Sequence, residues 1–297
     1  MIDICNWPNK EKNFENYEAE STILYIDSGC DLNHPEIYKN IITNECKSFV
    51  RGDESLTDFT GHGTQIISAI TGRNLIRGLN KESKIIVYKI TDKYGNSKFE
   101  WLFEALRTAI EKHYRVINIS YTGLTKDNQI IESFQKLIDK AVENNIHICC
   151  SANNIIHRDT DFIIPLDLKG VHKVGSLNYK NEVSIFNMNN KDIDFYCPGG
   201  DDIFITNTTK SLILLANSPQ STFNIGAELG LDKKYTLNYG NSIASSFFSC
   251  SMSLLIHYLE SKNKIERSNG FYSNILKNNK EINIIKKVKG EIMRGCF

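Results

Sequence analysis

Short apolar runs rich in β-branched residues alternate with amphipathic segments along the first two thirds of the chain. The runs lack strict alternation of polar and apolar positions, which predicts strands that are covered on both faces. Four strands are predicted in this part of the chain, at 22–27, 84–90, 116–120 and 146–150. Segments 100–113 and 129–145 carry apolar residues at helical spacing. Strands and helices in this order predict an α/β fold with a mostly parallel sheet and right-handed crossovers.

The remaining third of the chain has a less regular pattern that still contains predictable elements. Segments 172–177 and 192–199 are predicted strands, and 242–259 is predicted to be a largely buried helix. No Gly/Ser-rich or Pro-rich linker divides the chain, and the sequence contains no internal repeat. A single domain is therefore the simpler prediction.

Composition and charge narrow the classes of function. The 297 residues include 35 basic and 35 acidic side chains, so the formal net charge is zero. This balance argues against a protein that binds the nucleic-acid backbone or an anionic membrane surface. The apolar runs are far shorter than the roughly 20 residues that a membrane span needs, and the first residues include no apolar secretion segment. We therefore expect a cytoplasmic protein with no membrane span.

The eight cysteines predict neither a disulfide framework nor a metal site. They are scattered along the chain, and no C-x-x-C pair is present. Cys149 and Cys150 lie within an apolar run, where cysteine behaves as a small hydrophobic residue. We expect reduced thiols and no zinc.

Three polar residues stand where an α/β sheet places its chemistry. Asp27 ends the first predicted strand, and ligands bind at the carboxyl ends of parallel strands. His62 lies between Gly61 and Gly63 at the start of an apolar helical run, and Ser242 begins the last predicted helix. Each residue alone has an ordinary interpretation, as a turn, a structural histidine or a helix cap. Together they supply a nucleophile, a base and a carboxylate that orients the base.

The segments around these residues resemble those of the subtilisin-like serine proteases. ILYIDSGCDLNHPEI is similar to that family's aspartate segment, DFTGHGT to its histidine segment and YGNSIAS to its serine segment. The order Asp, His, Ser is also that of subtilisin. The resemblance runs over most of residues 22–260 and implies the subtilisin-like three-layer fold, with helices on both faces of a mostly parallel β-sheet. It also implies a serine endopeptidase with Asp27, His62 and Ser242 as its catalytic triad.

Two further segments supply the residues that the resemblance implies for substrate binding and for the oxyanion. VINISYTG resembles the family's strand whose edge pairs with an extended peptide or protein substrate. This implies substrate-binding roles for Ser120, Tyr121, Thr122 and Gly123. CCSANN resembles the segment whose asparagine donates to the oxyanion. Counting from the strand places Asn154 on the oxyanion position. Asn153, which falls on the family's glycine position, is the second candidate for the oxyanion donor.

Several positions depart from the family's pattern. Asn241, Ile243 and Ser246 replace a threonine, a methionine and a proline of the serine segment, but none of these changes removes a catalytic atom. Thr122 replaces a glycine of the pocket wall, which would narrow the site. The helix after His62 lacks the Asn-rich loop that supplies oxygens to the family's strongest calcium site. We therefore predict that this calcium site is absent and that the protein needs no metal or other cofactor.

Two stretches fall outside the shared pattern. Residues 200–239 make a longer connection than in a minimal member of the family, which is consistent with either a substrate-gripping element or a surface loop. The stretch 261–297 is rich in lysine and predicts a basic helical extension whose charges face solvent. With residues 1–20 as an N-terminal extension, the peptidase domain is predicted over 21–260.

The leading hypothesis is an intracellular serine endopeptidase with a narrow substrate, such as the leader of a ribosomally made modified peptide of the lanthipeptide kind. General intracellular protein turnover by the same chemistry is one rival. A noncatalytic module that grips a peptide by strand addition is another. A nucleotide-binding α/β protein is disfavoured, because neither G-x-x-x-x-G-K-[ST] nor G-x-G-x-x-G follows the first strand.

Overall fold

A parallel sheet of seven strands lies at the centre of the described structure. The computed structural model describes residues 18–153, 162–188, 192–202, 209–221 and 224–261. The strands in these ranges are Thr22–Asp27 (β1), Lys47–Ser48 (β2), Lys84–Lys89 (β3), Val116–Ile119 (β4), Gly123–Thr125 (β5), His147–Ser151 (β6), Phe162–Ile164 (β7), His172–Leu177 (β8), Phe195–Pro198 (β9), Ile213–Ala216 (β10) and Tyr235–Asn238 (β11). The α-helices are His62–Thr71 (α1), Phe99–Glu111 (α2), Asn128–Glu143 (α3), Ile225–Glu228 (α4) and Asn241–Ser261 (α5).

The strands of the central sheet lie in the order β2-β3-β1-β4-β6-β8-β9, and every neighbouring pair is parallel. β1 lies in the interior, with Asp27 beside Lys89 of β3 and Ile26 beside Ile119 of β4. All residues of β4, and all but the first of β1, are buried. Cover on both faces therefore explains why these runs show no polar alternation, as predicted.

Helices cover both faces of the sheet, which gives three layers. On one face, α1 and α5 form a core cluster with the sheet that includes Ile66, Ile67, Ile70, Ile243, Phe247 and Phe248. On the other face, α2 and α3 contribute Leu102, Leu106, Phe134 and Ile138 to a second cluster. α5 packs against β4, β6, β8 and β9, which explains why its residues 243–256 are all buried. The predicted α/β fold with helices on both faces of a mostly parallel sheet is confirmed.

Two short antiparallel pairs lie outside the central sheet and are not predicted by the sequence pattern. β5 pairs with β7, and β10 pairs with β11 in a hairpin that leads into α5. The hairpin belongs to the long connection 200–239, whose described part is therefore folded rather than a plain surface loop. None of the helices in the described ranges is long and apolar enough to cross a membrane. The predicted extensions 1–20 and 261–297 lie outside the described residues, apart from residues 18–20 and Ser261.

Candidate active site

Asp27 and His62 form a hydrogen-bonded pair at the carboxyl edge of the sheet. Asp27 is the buried last residue of β1, and His62 begins α1 with its Nδ1 2.7 Å from Asp27 Oδ1. The backbone N–H of Ser28 donates to the same carboxylate oxygen at 2.7 Å. A carboxylate only accepts hydrogen bonds, so His62 Nδ1 carries the proton and Nε2 is the basic atom. The pair has the arrangement of a general base and the carboxylate that orients it.

The electrostatics of this pair favour a charged imidazole. Burial of the ring disfavours its charge, but the charge of Asp27, the hydrogen bond with Asp27 and the charge of Asp58 together raise the pKa of His62. The side chain of His62 keeps 34% of its surface exposed, whereas that of Asp27 keeps 3%. A buried carboxylate beside a partly exposed imidazole stabilises the imidazolium that forms when the base accepts a proton.

A second buried carboxylate, Asp58, joins the end of β1 to the start of α1. Its Oδ1 accepts from the Ser28 hydroxyl and from the Gly61 N–H, both at 2.8 Å. Its Oδ2 accepts from the N–H and the hydroxyl of Thr64 at 2.9 and 2.8 Å. The Ser28 hydroxyl accepts in turn from the N–H of Gly63 at 2.9 Å. This network holds the histidine helix against the strand that ends in the aspartate. The sequence reasoning misses this residue, although it belongs to the DFTGHGT segment.

Ser242 lies in the first turn of α5 and is half-buried. Asn241, the residue before it, donates from Nδ2 to the carbonyl of Ala152 just beyond β6, so the helix begins at the carboxyl edge of the sheet. The N–H groups in the first turn of a helix have no partner within the helix, which makes them suitable donors to an oxyanion. Among the described residues no hydrogen bond joins the Ser242 hydroxyl to His62, and the role of Ser242 as nucleophile stays a prediction.

The two predicted oxyanion residues follow the end of β6. Asn153 lies two residues beyond the strand and is half-buried. Its carbonyl oxygen accepts from Asn241 Nδ2 at 3.2 Å, which ties this segment to the serine helix. Asn154 lies outside the described residues. The assignment of the oxyanion donor to either asparagine stays a prediction.

The predicted substrate residues lie between β4 and β5. Ser120, Tyr121 and Thr122 connect the two strands and belong to neither. Gly123 begins β5, where a Cβ would come within 2.7 Å of the ring of Phe99. A side chain at Gly123 would therefore displace that ring, so the close approach explains the glycine. The substrate-binding roles of these four residues stay predictions.

The β10–β11 hairpin packs beside the histidine helix through a chain of amides. Gln65, three residues after His62, donates from Nε2 to Asn217 Oδ1 at 3.1 Å. It accepts at Oε1 from Asn238 Nδ2 at 2.8 Å. Asn217 follows β10 and Asn238 ends β11, so both ends of the hairpin are tied to α1. The long connection that leads to Ser242 thus contacts the helix that carries the histidine.

The loop after α1 is held by a carboxylate. Glu36 Oε2 accepts from the N–H groups of Arg73 and Asn74 at 2.7 and 2.8 Å. Its Oε1 accepts from the Leu75 N–H at 2.7 Å and from the Tyr235 hydroxyl at 3.1 Å. In the part of the chain that the structure describes, no three acidic, histidine or cysteine side chains form a group that could hold a metal. The groups that surround the Glu36 carboxylate are N–H and O–H donors, whereas a calcium site needs six to eight oxygen ligands. The absence of the strong calcium site stays a prediction.

Replacing Glu36 with glutamine is expected to lower the free energy of unfolding by about 3 kcal/mol, because the change removes charge-assisted hydrogen bonds. Burial alone would raise the pKa of Glu36, but the N–H groups of Asn74, Arg73 and Leu75 and the Tyr235 hydroxyl outweigh it and lower the pKa. The stabilisation is therefore complete above the unfolded-state pKa of about 4.3. It is lost as the pH falls through the lower folded-state pKa. Urea unfolding of wild type and variant across this pH range measures the effect.

Glu132→Gln, at an exposed position of α3, is the matched control for Glu36→Gln and should leave the free energy of unfolding unchanged.

Thermal melting with calcium or with excess chelator tests the predicted absence of the strong calcium site. We expect nearly the same melting temperature in both conditions, and a shift of many degrees would contradict the prediction.

Comparison with known proteins identifies the family. The sequence model of the subtilase family matches residues 19–280. An intracellular serine protease of Paenibacillus polymyxa is 27% identical over 222 residues, which cover 71% of this chain and 66% of that protein. The major intracellular serine protease of Bacillus subtilis (strain 168) is 26% identical over 224 residues, which cover 72% of this chain and 68% of that protein. The chain thus spans about two thirds of the length of these relatives.

Solved structures share the fold. The crystal structure of a lanthipeptide protease matches with a TM-score of 0.75 at 24% identity, over 86% of this chain and 79% of that chain. The nisin leader peptidase NisP from Lactococcus lactis matches with a TM-score of 0.74 at 20% identity, over 99% of this chain and 96% of that chain. At these identities the likeness establishes the fold, and the family match covers most of the sequence. The chain belongs to the subtilase family of subtilisin-like serine proteases.

Proposed function

We propose that this protein is a serine endopeptidase that hydrolyses peptide bonds through Asp27, His62 and Ser242. The observation that carries the proposal is the 2.7 Å hydrogen bond between His62 Nδ1 and Asp27 at the edge of the sheet where the Ser242 helix begins. Membership of the subtilase family supports the same chemistry. A general base that is already oriented by a buried carboxylate is the part of such a site that a noncatalytic peptide-binding module would not need.

In the proposed reaction, His62 Nε2 takes the proton of the Ser242 hydroxyl as the serine oxygen attacks the substrate carbonyl carbon. Asp27 holds the imidazole in place and stabilises its charge. The oxyanion accepts hydrogen bonds from the Ser242 N–H and from Asn154, with Asn153 as the runner-up. His62 then returns the proton to the leaving amine. A water molecule that His62 deprotonates hydrolyses the acyl-enzyme and frees the serine.

The substrate is proposed to lie as an extended strand along Ser120, Tyr121 and Thr122. These residues belong to no strand in the described structure, so their backbone groups can pair with a peptide. Thr122 stands where the family has a glycine, and its side chain would narrow the substrate pocket proposed beside it. With a formal net charge of zero, the protein has no net charge that attracts a charged partner over long range. Recognition therefore depends on local fit along this edge.

The narrower proposal is that the substrate is the leader of a ribosomally made modified peptide, cleaved in the cytoplasm. The likeness to a lanthipeptide protease and to the nisin leader peptidase supports the substrate class. The two intracellular relatives support the compartment. The names of these two relatives specify no leader peptide as substrate. General protein turnover by the same chemistry is therefore the alternative to the leader proposal.

Full-length lanthipeptide precursors, the same precursors with scrambled leaders, and casein separate the two alternatives. We expect cleavage at one bond between leader and core. We expect kcat/KM for the native leader to exceed that for the scrambled leader by at least about 100-fold, the discrimination that one well-fitted pocket supplies. Mass spectrometry of the products over time gives both the site and the rate. Rapid cleavage of casein at many bonds, with no preference for native leaders, would support turnover and contradict the leader proposal.

A further inference from the structure

Two fully buried asparagines, Asn187 and Asn241, bond to each other beside the proposed nucleophile. Asn187 Nδ2 donates to Asn241 Oδ1 at 2.6 Å, and Asn241 Nδ2 donates to Asn187 Oδ1 at 2.9 Å. The two residues are 1% and 0% exposed. Burial of an amide is costly unless its polar atoms are bonded, so the two side chains strongly favour this single arrangement.

Asn241 also reaches the strand end that carries an oxyanion candidate. One Nδ2 hydrogen of Asn241 bonds Asn187, and the other is shared between the carbonyl oxygens of Ala152 at 3.0 Å and Asn153 at 3.2 Å. Asn241 is the first residue of α5 and directly precedes Ser242. One side chain therefore ties the start of the nucleophile's helix to the end of β6.

Asn187 is itself held by its surroundings. It ends a 3-10 turn whose first N–H, from Ile185, donates to the buried carboxylate of Asp201 at 2.9 Å. Its Nδ2 also lies 3.4 Å from the carbonyl oxygen of Ser176 in β8. Asn187 is therefore held by β8, the strand next to β6, and in turn holds the Asn241 side chain in place.

We propose that the Asn187–Asn241 pair positions the end of β6 against Ser242, so that the oxyanion donor and the nucleophile keep a productive separation. The inference rests on the proposed serine-protease function. Asn241 stands where the family has a threonine, and a threonine hydroxyl, with a single donor, cannot donate both to Asn187 Oδ1 and to a β6 carbonyl as the Asn241 amide does. Both asparagines are positioning residues, since neither supplies a reacting atom. A misplacement of about 1 Å at such a site costs about 100-fold in turnover.

The test is a kinetic comparison of Asn187→Ala with wild type on a peptide amide that the wild type cleaves. Removing the Asn187 amide frees Asn241 from its reciprocal partner and leaves the proposed triad intact. We expect kcat to fall by about 10- to 100-fold while KM changes by less than about twofold. The rate of labelling by a fluorophosphonate probe should fall by a similar factor. The acid limb of the pH profile, which His62 sets, should not move.

Asn80→Ala is the matched control. Asn80 is also fully buried, and its Nδ2 donates to the Ala19 carbonyl and the Ser83 hydroxyl, just before the amino ends of β1 and β3. The loss of the Asn80 amide should lower stability and leave kcat and the labelling rate unchanged.

Asn187→Ser is measured in parallel with Asn187→Ala. Serine leaves a smaller void than alanine and keeps a hydroxyl donor, so the test stands even where Asn187→Ala does not fold.

A double-mutant cycle with Asn241→Thr decides whether the two asparagines act together. If Asn187 acts through Asn241, replacing Asn187 in the Asn241→Thr background should lower kcat little further. Additive losses, or wild-type kcat in every Asn187 variant that folds, would overturn the proposal. A folded wild type that neither cleaves peptides nor reacts with the probe would contradict the proposed function instead, so the two failures are distinguishable.

Discussion

Ser242→Ala is expected to lower kcat by about 10⁶-fold, on the order of the loss measured for the nucleophile knockout in subtilisin, a member of the same family. In the proposed mechanism the serine oxygen forms the acyl-enzyme, and alanine would leave His62 with no hydroxyl proton to accept. Ser242 is half-buried in the first turn of α5, so the smaller side chain should leave the fold intact. Hydrolysis of a peptide amide by wild type and variant, with circular dichroism of both, measures the effect.

A fluorophosphonate probe that reacts with activated serines supplies the control for this prediction. Ser253→Ala removes a buried hydroxyl of the same helix that lies 2.9 Å from the Ser21 hydroxyl, and this variant should label like the wild type. Ser242→Ala should not label. Labelling of Ser242→Ala would place the nucleophile on another residue. A folded wild type that does not label would favour the noncatalytic peptide-binding module.

The elements that the sequence predicts well are those set by local pattern. The predicted strand at 22–27 coincides with β1, because a run buried on both faces is apolar along its whole length. The predicted helix at 100–113 lies within two residues of α2, which ends at Glu111. The amphipathic pattern continues past this end, but the chain turns at His113, whose φ of 57° is left-handed and cannot continue the helix.

The candidate site is predictable only in part, because its members are joined over long sequence separations. Asp27 and His62 each stand in a recognisable segment, and the structure brings them together. Contacts such as Gln65–Asn217, 152 residues apart, follow from the way in which a hairpin docks on α1. No period or local motif encodes such a contact, so the sequence gives no sign that the long connection before Ser242 reaches the histidine helix.

The departures in the serine segment have partners that explain them. Ser246, in place of a proline, places its hydroxyl 2.7 Å from that of Tyr25 and donates to the Ile66 carbonyl at 2.8 Å. It therefore ties α5 to both β1 and α1. Asn241 turns inward to the predicted oxyanion segment, and Ile243 packs in the core cluster on the α1 side of the sheet. Substitutions that look neutral in the sequence thus belong to the framework that holds the site.

Asp27→Asn is expected to lower kcat at neutral pH by about 10⁴-fold, the effect of the equivalent change in a Ser-His-Asp protease. An amide both donates and accepts, so it no longer fixes the proton on His62 Nδ1 or stabilises the imidazolium. Burial alone would lower the pKa of His62, and in the wild type the charge and hydrogen bond of Asp27 outweigh it. The variant should therefore have a lower His62 pKa. Since the base must be neutral, the acid limb of kcat/KM should move to lower pH.

Asp31→Asn is the matched control for this pH profile. Asp31 is the next carboxylate along the chain, and its Oδ1 accepts from the Asn33 N–H at 3.0 Å. This control should keep both wild-type turnover and the wild-type acid limb. Asp58 remains in Asp27→Asn and still raises the His62 pKa, so the shift should be partial. Wild-type turnover in Asp27→Asn, or an acid limb that moves to higher pH, would show that the Asp27–His62 hydrogen bond does not orient the catalytic base. The Asp27–His62 hydrogen bond is the one contact between triad members among the described residues. Either result would therefore contradict the proposed triad.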